Sequence, residues 1–571
     1  MDYSSSRAKE IIDDFHAREN LRRSRDEQWL LNINFLNGKQ NVYVAHSGEI
    51  REEEKLYPYE SKEVFNHIAP IIESRLAKLG KVRPMVAVRP TTSSEKDKMV
   101  AKTTKNVITS EFDRINISKL IKDATLWSEV TGTAFYKIME ENGEVKVSVL
   151  SPFEVFPESE DYMEIEDNPS IIIAKNVSVS EAESYYGISG LAGEKLGFVS
   201  FATSTLNPVQ IKDNQVTVIE RYEKPTIEFP NGRLEIVVGD QLVLTTDMKE
   251  YPIVKQVSNL SIQNFWGKSV IERCIPVQRA YNAVKNRKIE YLSRLTAGVL
   301  AVEEGSVDLD LLETDGLAPG KILVYRAGSS SPKFMDGFSV PTELNREEDR
   351  LLGELNTLAG VSDLMRSSVV PASITSGTAI NQLTEADDTR LSVSAEFIRE
   401  AVLKIAKIML KIIKSMNNSQ CMSRLFDDDG AVEVFYWNAS DLKSEDLILD
   451  TVNELSESIS SRRGSAMELY KAGLFFDDNG KMDGKVKSKI LDILGFGSFE
   501  SGQRIVDLHI KRAKKENLSE SIPMVYEFDD HAVHIDEHVR FLVENDETPQ
   551  QKIDQMIEHI RTHKMFMGEK K

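Results

Sequence analysis

The sequence predicts a predominantly helical α+β fold built from several domains, and three observations carry that expectation. Charged runs with helical periodicity open the chain and return at 378–416. A β-rich stretch with turn signals lies between them, and at Gly267 the character changes to a basic helical run. At 571 residues the chain is about four times a typical domain, long enough to bury several cores without disulfide or metal staples.

Arg7 to Phe35 reads as a helix stopped at Asn37-Gly38-Lys39. Ser61 to Leu79 reads as a second, because Val64, Phe65, Ile68, Ile71, Ile72, Leu76 and Leu79 recur at helical spacing, with Pro70 bending it. A short strand at 85–88 precedes helices 94–114 and 118–130. Strands are expected at 133–139, 145–150, 170–174, 215–222, 234–238 and 241–245, with turns at Glu141-Asn142-Gly143 and Pro230-Asn231-Gly232.

Residues 268–296 carry seven bases against Glu272 and Glu290, a local +5 in a chain of net charge −20. Pro276 fixes φ and lacks an N–H, so it is placed at the first turn of a main helix that follows a short one at 268–274. A compact α/β insertion follows at 297–340, with strands at 299–302 and 321–325 and six acids, Glu303, Glu304, Asp308, Asp310, Glu313 and Asp315. An acidic helix at 341–359 is expected to pack against the basic one. Residues 361–377 form a nearly uncharged loop with only Asp363 and Arg366 ionised. From Thr378 to Met416 no Gly or Pro intervenes, so one helix would reach ~58 Å, with acids early and lysines late as the macrodipole favours. The tail holds a strand at 431–437 and several charged helices.

Composition bounds function. Lys plus Arg is 71 and Asp plus Glu 91, a balance that argues against coating DNA or an anionic membrane non-specifically. Cys274 and Cys421 are too few for a disulfide framework or a zinc finger, which points to a reducing cytosol. The first twenty residues lack the basic start and apolar stretch of a secretory signal, so export by that route is not expected. The greasiest window, 398–413, is interrupted by five charges, so no membrane span is expected.

No enzymatic motif is complete. Gly267-Lys268-Ser269 ends like a phosphate-binding loop, but the required first glycine is Ile262. Six of nine histidines follow residue 508, and His531, His534 and His538 fall on one helical face beside Asp529, Asp530 and Asp536. That pattern suits a divalent metal. The reading favoured is a subunit-contact or solvated face whose histidines pair with nearby acids, since one helix face seldom closes a coordination sphere.

The order of parts resembles the portal proteins of tailed double-stranded DNA bacteriophages. Trp29, Asn32, Phe35, Gly38 and Gln40 resemble early family positions; Trp266-Gly267-Lys268-Ser269-Val270-Ile271, then Pro276-Val277-Gln278 and Asn282, resemble the start of its stem; Ser376-Gly377-Thr378-Ala379-Ile380 resembles the opening of its long helix. The resemblance implies a portal-like architecture: an N-terminal helical arm (1–56), a wing (57–266), stem helices (267–296 and 341–360) around a clip (297–340), a tunnel loop (361–377), a long wing helix (378–417) and a helical crown (418–571).

It further implies a ring, commonly of twelve copies, at one capsid vertex of the virion, assembled in the host cytoplasm. Double-stranded DNA passes through it during packaging and ejection. The large terminase subunit and later a head–tail adaptor dock on the clip acids, beside capsid and scaffolding proteins; no cofactor, catalytic residue or membrane is implied. DNA must slide, so strong phosphate contacts would hinder it. Asp363, Arg366, Ser367, Ser368, Val369, Val370, Ser373 and Thr375 are accordingly expected to make a close-fitting, weakly charged constriction. Two competing readings are a metal-dependent nuclease using the C-terminal His/Asp cluster and a non-ring minor head or adaptor protein.

Overall fold

The computed structural model describes residues 3–46, 48–55, 57, 60–82, 86–90, 92, 95–196, 212–297, 299–308, 310, 322–335, 342–361, 377–416, 421–426, 432–438, 442, 447–449, 467–473, 505–519, 523–544 and 549–568. Its longer helices are α1 (Tyr3–Leu36), α2 (Ile68–Leu79), α3 (Glu95–Ile115), α4 (Ile117–Thr131), α5 (Val179–Tyr186), α6 (Val270–Ala297), α7 (Thr342–Ala359), α8 (Gly377–Met416), α9 (Ile505–Leu518), α10 (His531–Glu544) and α11 (Gln550–Gly568). The strands are β1 (Val42–Val44), β2 (Ile50–Glu52), β3 (Val86–Val88), β4 (Thr133–Glu141), β5 (Glu144–Leu150), β6 (Val155–Pro157), β7 (Ser170–Ser178), β8 (Glu194–Leu196), β9 (Lys212–Glu223), β10 (Arg233–Val238), β11 (Gln241–Thr246), β12 (Ile253–Val257), β13 (Val299–Ala301), β14 (Lys333–Met335), β15 (Cys421–Phe426), β16 (Val432–Trp437) and β17 (Leu447–Leu449).

One unit comprises Met1–Arg83 and Ile117–Ile405. Its main sheet runs β11-β10-β9-β7-β6, with β8 on β9, and a second sheet runs β12-β4-β5. All these pairs are antiparallel, which lets neighbouring strands join through short turns such as Asn142-Gly143, both at positive φ. Helix α1 lies on the main sheet, where Ala8, Ile11 and Phe15 pack with Phe156, Ile172, Ile219 and Val237. Its charge does not keep it in solvent. The guanidinium of Arg22 is buried, donates to the carbonyls of Pro152, Phe153 and Val155, and pairs with Asp26. Burial pushes the Asp26 carboxyl up to about 7 despite that partner. The larger core centres on aromatic rings, with Trp29 edge-on to Trp266 at 4.9 Å and to Phe153 at 5.3 Å.

Two glycines bring β4 against the loop before α6. Gly132 has φ +93, a region that L side chains rarely adopt, and a Cβ there would stand 2.3 Å from the Gly267 carbonyl oxygen. A Cβ on Gly267 would stand 2.2 Å from that of Gly132. The glycine that resembled part of a phosphate loop is therefore required for backbone contact.

Three expectations are corrected. Helix α2 begins at Ile68, and 61–67 is non-helical. Its backbone amides find acceptors on α6: Ser61 on Glu290, Glu63 on Asn286, Phe65 on Asn282 and His67 on Gln278, at 3.0–3.1 Å. Asn286 and Gln278 return bonds to the carbonyls of Glu63 and Phe65. Four residues of helix rise ~6 Å and two of extended chain ~6.6 Å, so side chains at i, i+4 meet alternate backbone units. Second, Pro276 lies inside the continuous α6. Its missing N–H removes one bond close to the helix start, in a stretch anchored by buried Val270, Ile271, Cys274 and Ile275. Third, β13 pairs with β14 at 333–335, and the described residues 322–325 are irregular and mostly exposed.

The other unit comprises Pro84–Asn116 and Ala406–Lys571. Here β3 pairs with β17 and β15 with β16, while α3 packs on β3 and β15. Helix α10 packs on both α9 and α11. No described helix is long and apolar enough to cross a membrane.

Candidate functional site

Helices α6 and α7 pack side by side around the insertion. Their opposite charges meet at Glu348, whose carboxylate takes ammonium groups from Lys285 and from Lys288, the latter at 2.8 Å. Partial burial alone would raise the Glu348 carboxyl, but the two lysines hold it below its ordinary range. Leu351, Leu355 and Ala359 form the buried edge of α7, and Arg75 from α2 caps its end by donating to Ala359 O at 2.8 Å.

In the insertion, the sequence-predicted Glu303, Glu304, Asp308 and Asp310 are all exposed. Glu303 accepts from the Ser330 amide at 2.7 Å, which lowers its pKa. Ile322, Val324 and Tyr325 are exposed in the same insertion. Glu313 and Asp315 lie outside the described residues, as do Asp363, Arg366, Ser367, Ser368, Val369, Val370, Ser373 and Thr375.

The C-terminal histidines occupy a different environment from the face expected. Among them His531 is 6% exposed and His534 and His538 are 0%, so none lies on a solvated face. The structure also brings in residues that the sequence reading missed: Glu516 from α9 and His559 and His563 from α11. Glu516 Oε2 lies 3.2 Å from His534 Nδ1, 3.5 Å from His538 Nε2 and 3.6 Å from His559 Nε2. Of the expected acids Asp529 lies near His534 and His509, but the acid shared by His534, His538 and His559 is Glu516. Burial favours protonation of that carboxyl, yet the imidazoles and Arg512 outweigh it and hold the pKa far below the usual range. Burial, followed by repulsion from four neighbouring imidazoles, drives His563 down to about 3. The available signal was two H-x-x-x-H pairs, His534/His538 and His559/His563, each one turn apart.

The charged helix pair α6 and α7 thus flanks a small insertion, and the 40-residue α8 follows it in the chain. Residues 233–459 match the model of the phage P22-like portal protein family, which supports a phage portal protein. That range runs from β10 through α6, the insertion, α7 and α8 to beyond β17. No curated protein matches the chain.

Proposed function

We propose that this chain is the subunit of a portal ring at the unique capsid vertex, acting as conduit for double-stranded DNA and as docking platform for packaging and tail proteins. The family match over 233–459 carries the reading, because it spans the helix pair, the insertion and the whole of the long helix. Portal proteins are in general structural and not enzymatic, which favours a conduit over a nuclease.

In this reading α6 and α7 are the stem and 297–340 the clip. Exposed Glu303, Glu304, Asp308 and Asp310, beside exposed Ile322, Val324 and Tyr325, suit a partner with basic and apolar contacts, as terminase or an adaptor would present. Residues 361–377 would line the channel; their near-neutral, hydroxyl-rich composition suits sliding DNA. Residues 418–571 would form the crown.

Light scattering and negative-stain imaging of the purified chain test the ring: a hollow oligomer of about twelve copies is expected, and a persistent monomer under all assembly conditions overturns the reading. Deleting 365–374 is expected to leave the ring intact and impair packaging or DNA retention. Unchanged packaging would refute the channel assignment.

A further inference from the structure

We propose that Glu516, His534, His538 and His563 form a structural binding site for one zinc ion that ties α9, α10 and α11 together. This goes beyond the portal reading and does not depend on it.

The four residues come from three helices and all are buried, with one donor atom from each lying within 4.8 Å of the others. Zinc bonds to imidazole nitrogen and carboxylate oxygen are about 2.0–2.2 Å, so tetrahedral ligands stand roughly 3.3–3.6 Å apart. The separations from Glu516 Oε2 to His534 and His538, 3.2 and 3.5 Å, are close to that edge before any adjustment.

Hydrogen bonding gives a second, independent indication. Among the described residues, both ring nitrogens of His534, Nε2 of His538 and Oε2 of Glu516 are buried without a hydrogen bond. The short His534–Glu516 approach lacks hydrogen-bond geometry although its distance would permit one. Buried polar atoms left this way each cost about 1–3 kcal/mol. A cation accepting their lone pairs would satisfy one atom on each of these three side chains.

The surrounding groups orient those lone pairs inward. His538 Nδ1 is 2.6 Å from Asn517 Oδ1, an acceptor, so Nδ1 carries a hydrogen and Nε2 is the nitrogen available to a metal. Asn517 is itself positioned by donating to Glu537 O. Arg512 Nε holds Glu516 Oε1 at 3.0 Å, leaving Oε2 for the ion. His563 makes ring contacts at both nitrogens, Nδ1 at 2.9 Å from His531 Nδ1 and Nε2 toward His559, so one of these would give way to the ion. His559 stands at the rim, its Nε2 3.2 Å from His563 Nε2.

Three imidazoles and one carboxylate suit zinc over magnesium or calcium, which prefer all-oxygen shells. Four protein donors in a buried site leave no position for substrate water, so the role assigned is structural. A second trio, His509, Asp529 and His534, offers one ligand fewer: Asp529 Oδ2 accepts from the Tyr526 amide at 2.8 Å, Oδ1 pairs with the Arg512 guanidinium at 3.2 Å without a hydrogen bond, and His509 Nδ1 faces the Asp530 amide.

The test uses the full chain without a histidine tag, stripped with chelator and titrated with zinc chloride, followed by elemental analysis, calorimetry and limited proteolysis. One zinc per chain is expected, with added zinc protecting 505–568 from cleavage. Asn517→Ala should weaken binding roughly 10–100-fold by losing the orienting acceptor, and His534→Ala and the near-isosteric Glu516→Gln should weaken it at least as much. His16→Ala, at an exposed position on α1, should bind as the parent does. Absence of bound zinc in the parent overturns the proposal. So does equal binding by the parent, His534→Ala and Glu516→Gln, with circular dichroism confirming that Glu516→Gln is folded.

Discussion

Arg75 and Glu129 form a buried two-pronged ion pair, Nε to Oε2 at 2.5 Å and Nη2 to Oε1 at 3.2 Å. The remaining guanidinium nitrogen bonds to Ala359 O, and Glu129 Oε1 also accepts from Ser258 Oγ at 2.7 Å. One pair thereby joins α2, α4, the end of α7 and the loop after β12. Removing either charge strands the other in a poorly solvated site. Arg75→Ala is expected to cost on the order of 3–5 kcal/mol, read as a lower urea midpoint. The volume-matched double change Arg75→Met with Glu129→Leu should recover much of that loss, and a double variant no better than Arg75→Ala would contradict this account.

Gly132→Ala is expected to destabilise by at least ~1–3 kcal/mol from its φ of +93 alone, before the clash with the Gly267 carbonyl. Gly143→Ala serves as a control for the conformational cost, because it shares a positive φ but has nothing within 4 Å of its Cβ position. Denaturant titration should rank Gly132→Ala well below Gly143→Ala.

Asn286→Ala removes an acceptor for the Glu63 amide and a donor to the Glu63 carbonyl. A loss of about 1–3 kcal/mol is expected. Hydrogen exchange gives the specific reading: the Glu63 amide should lose protection, whereas amides of the β7–β9 ladder should not.

Glu154 gives a pH prediction. Burial raises its carboxyl to about 7, only partly offset by Lys175. The unfolded chain releases this proton near pH 4 and the folded chain holds it to about 7, so this residue's contribution to stability declines as pH rises through that window. Glu154→Gln should match the parent below about pH 4 and exceed it increasingly up to about pH 7, with a plateau above, which pH-resolved unfolding would detect. A variant uniformly less stable at every pH would refute the assignment.

Much of this architecture was legible in residue pattern. Helix α8 follows from the uninterrupted stretch after Gly377, and β4, β5, β7, β9, β10 and β11 from alternation and turn residues, with ends shifted by a few positions. Ser61–His67 misled because Val64 and Phe65 continue the spacing of Ile68 and Ile71, while the deciding hydrogen bonds come from α6, more than 200 residues away. The β14 partner of β13 was missed for a similar reason: three residues carry little periodicity, and pairing is decided across the insertion. The histidine cluster was half visible. His531, His534 and His538 share one helix, whereas Glu516 and His563 join them only when α9 and α11 fold against it.

The contact between 61–67 and α6 distributes mutational tolerance unequally. On one side the bonding groups are those of the main chain, apart from the Ser61 hydroxyl, and every amino acid but proline supplies them. On the other side they are the side chains of Gln278, Asn282, Asn286 and Glu290. Position 63 of the strap can therefore diversify over evolutionary time while the contact keeps its place, whereas Asn66 and His67, which hold their own side-chain contacts, and the four helix positions should admit few replacements.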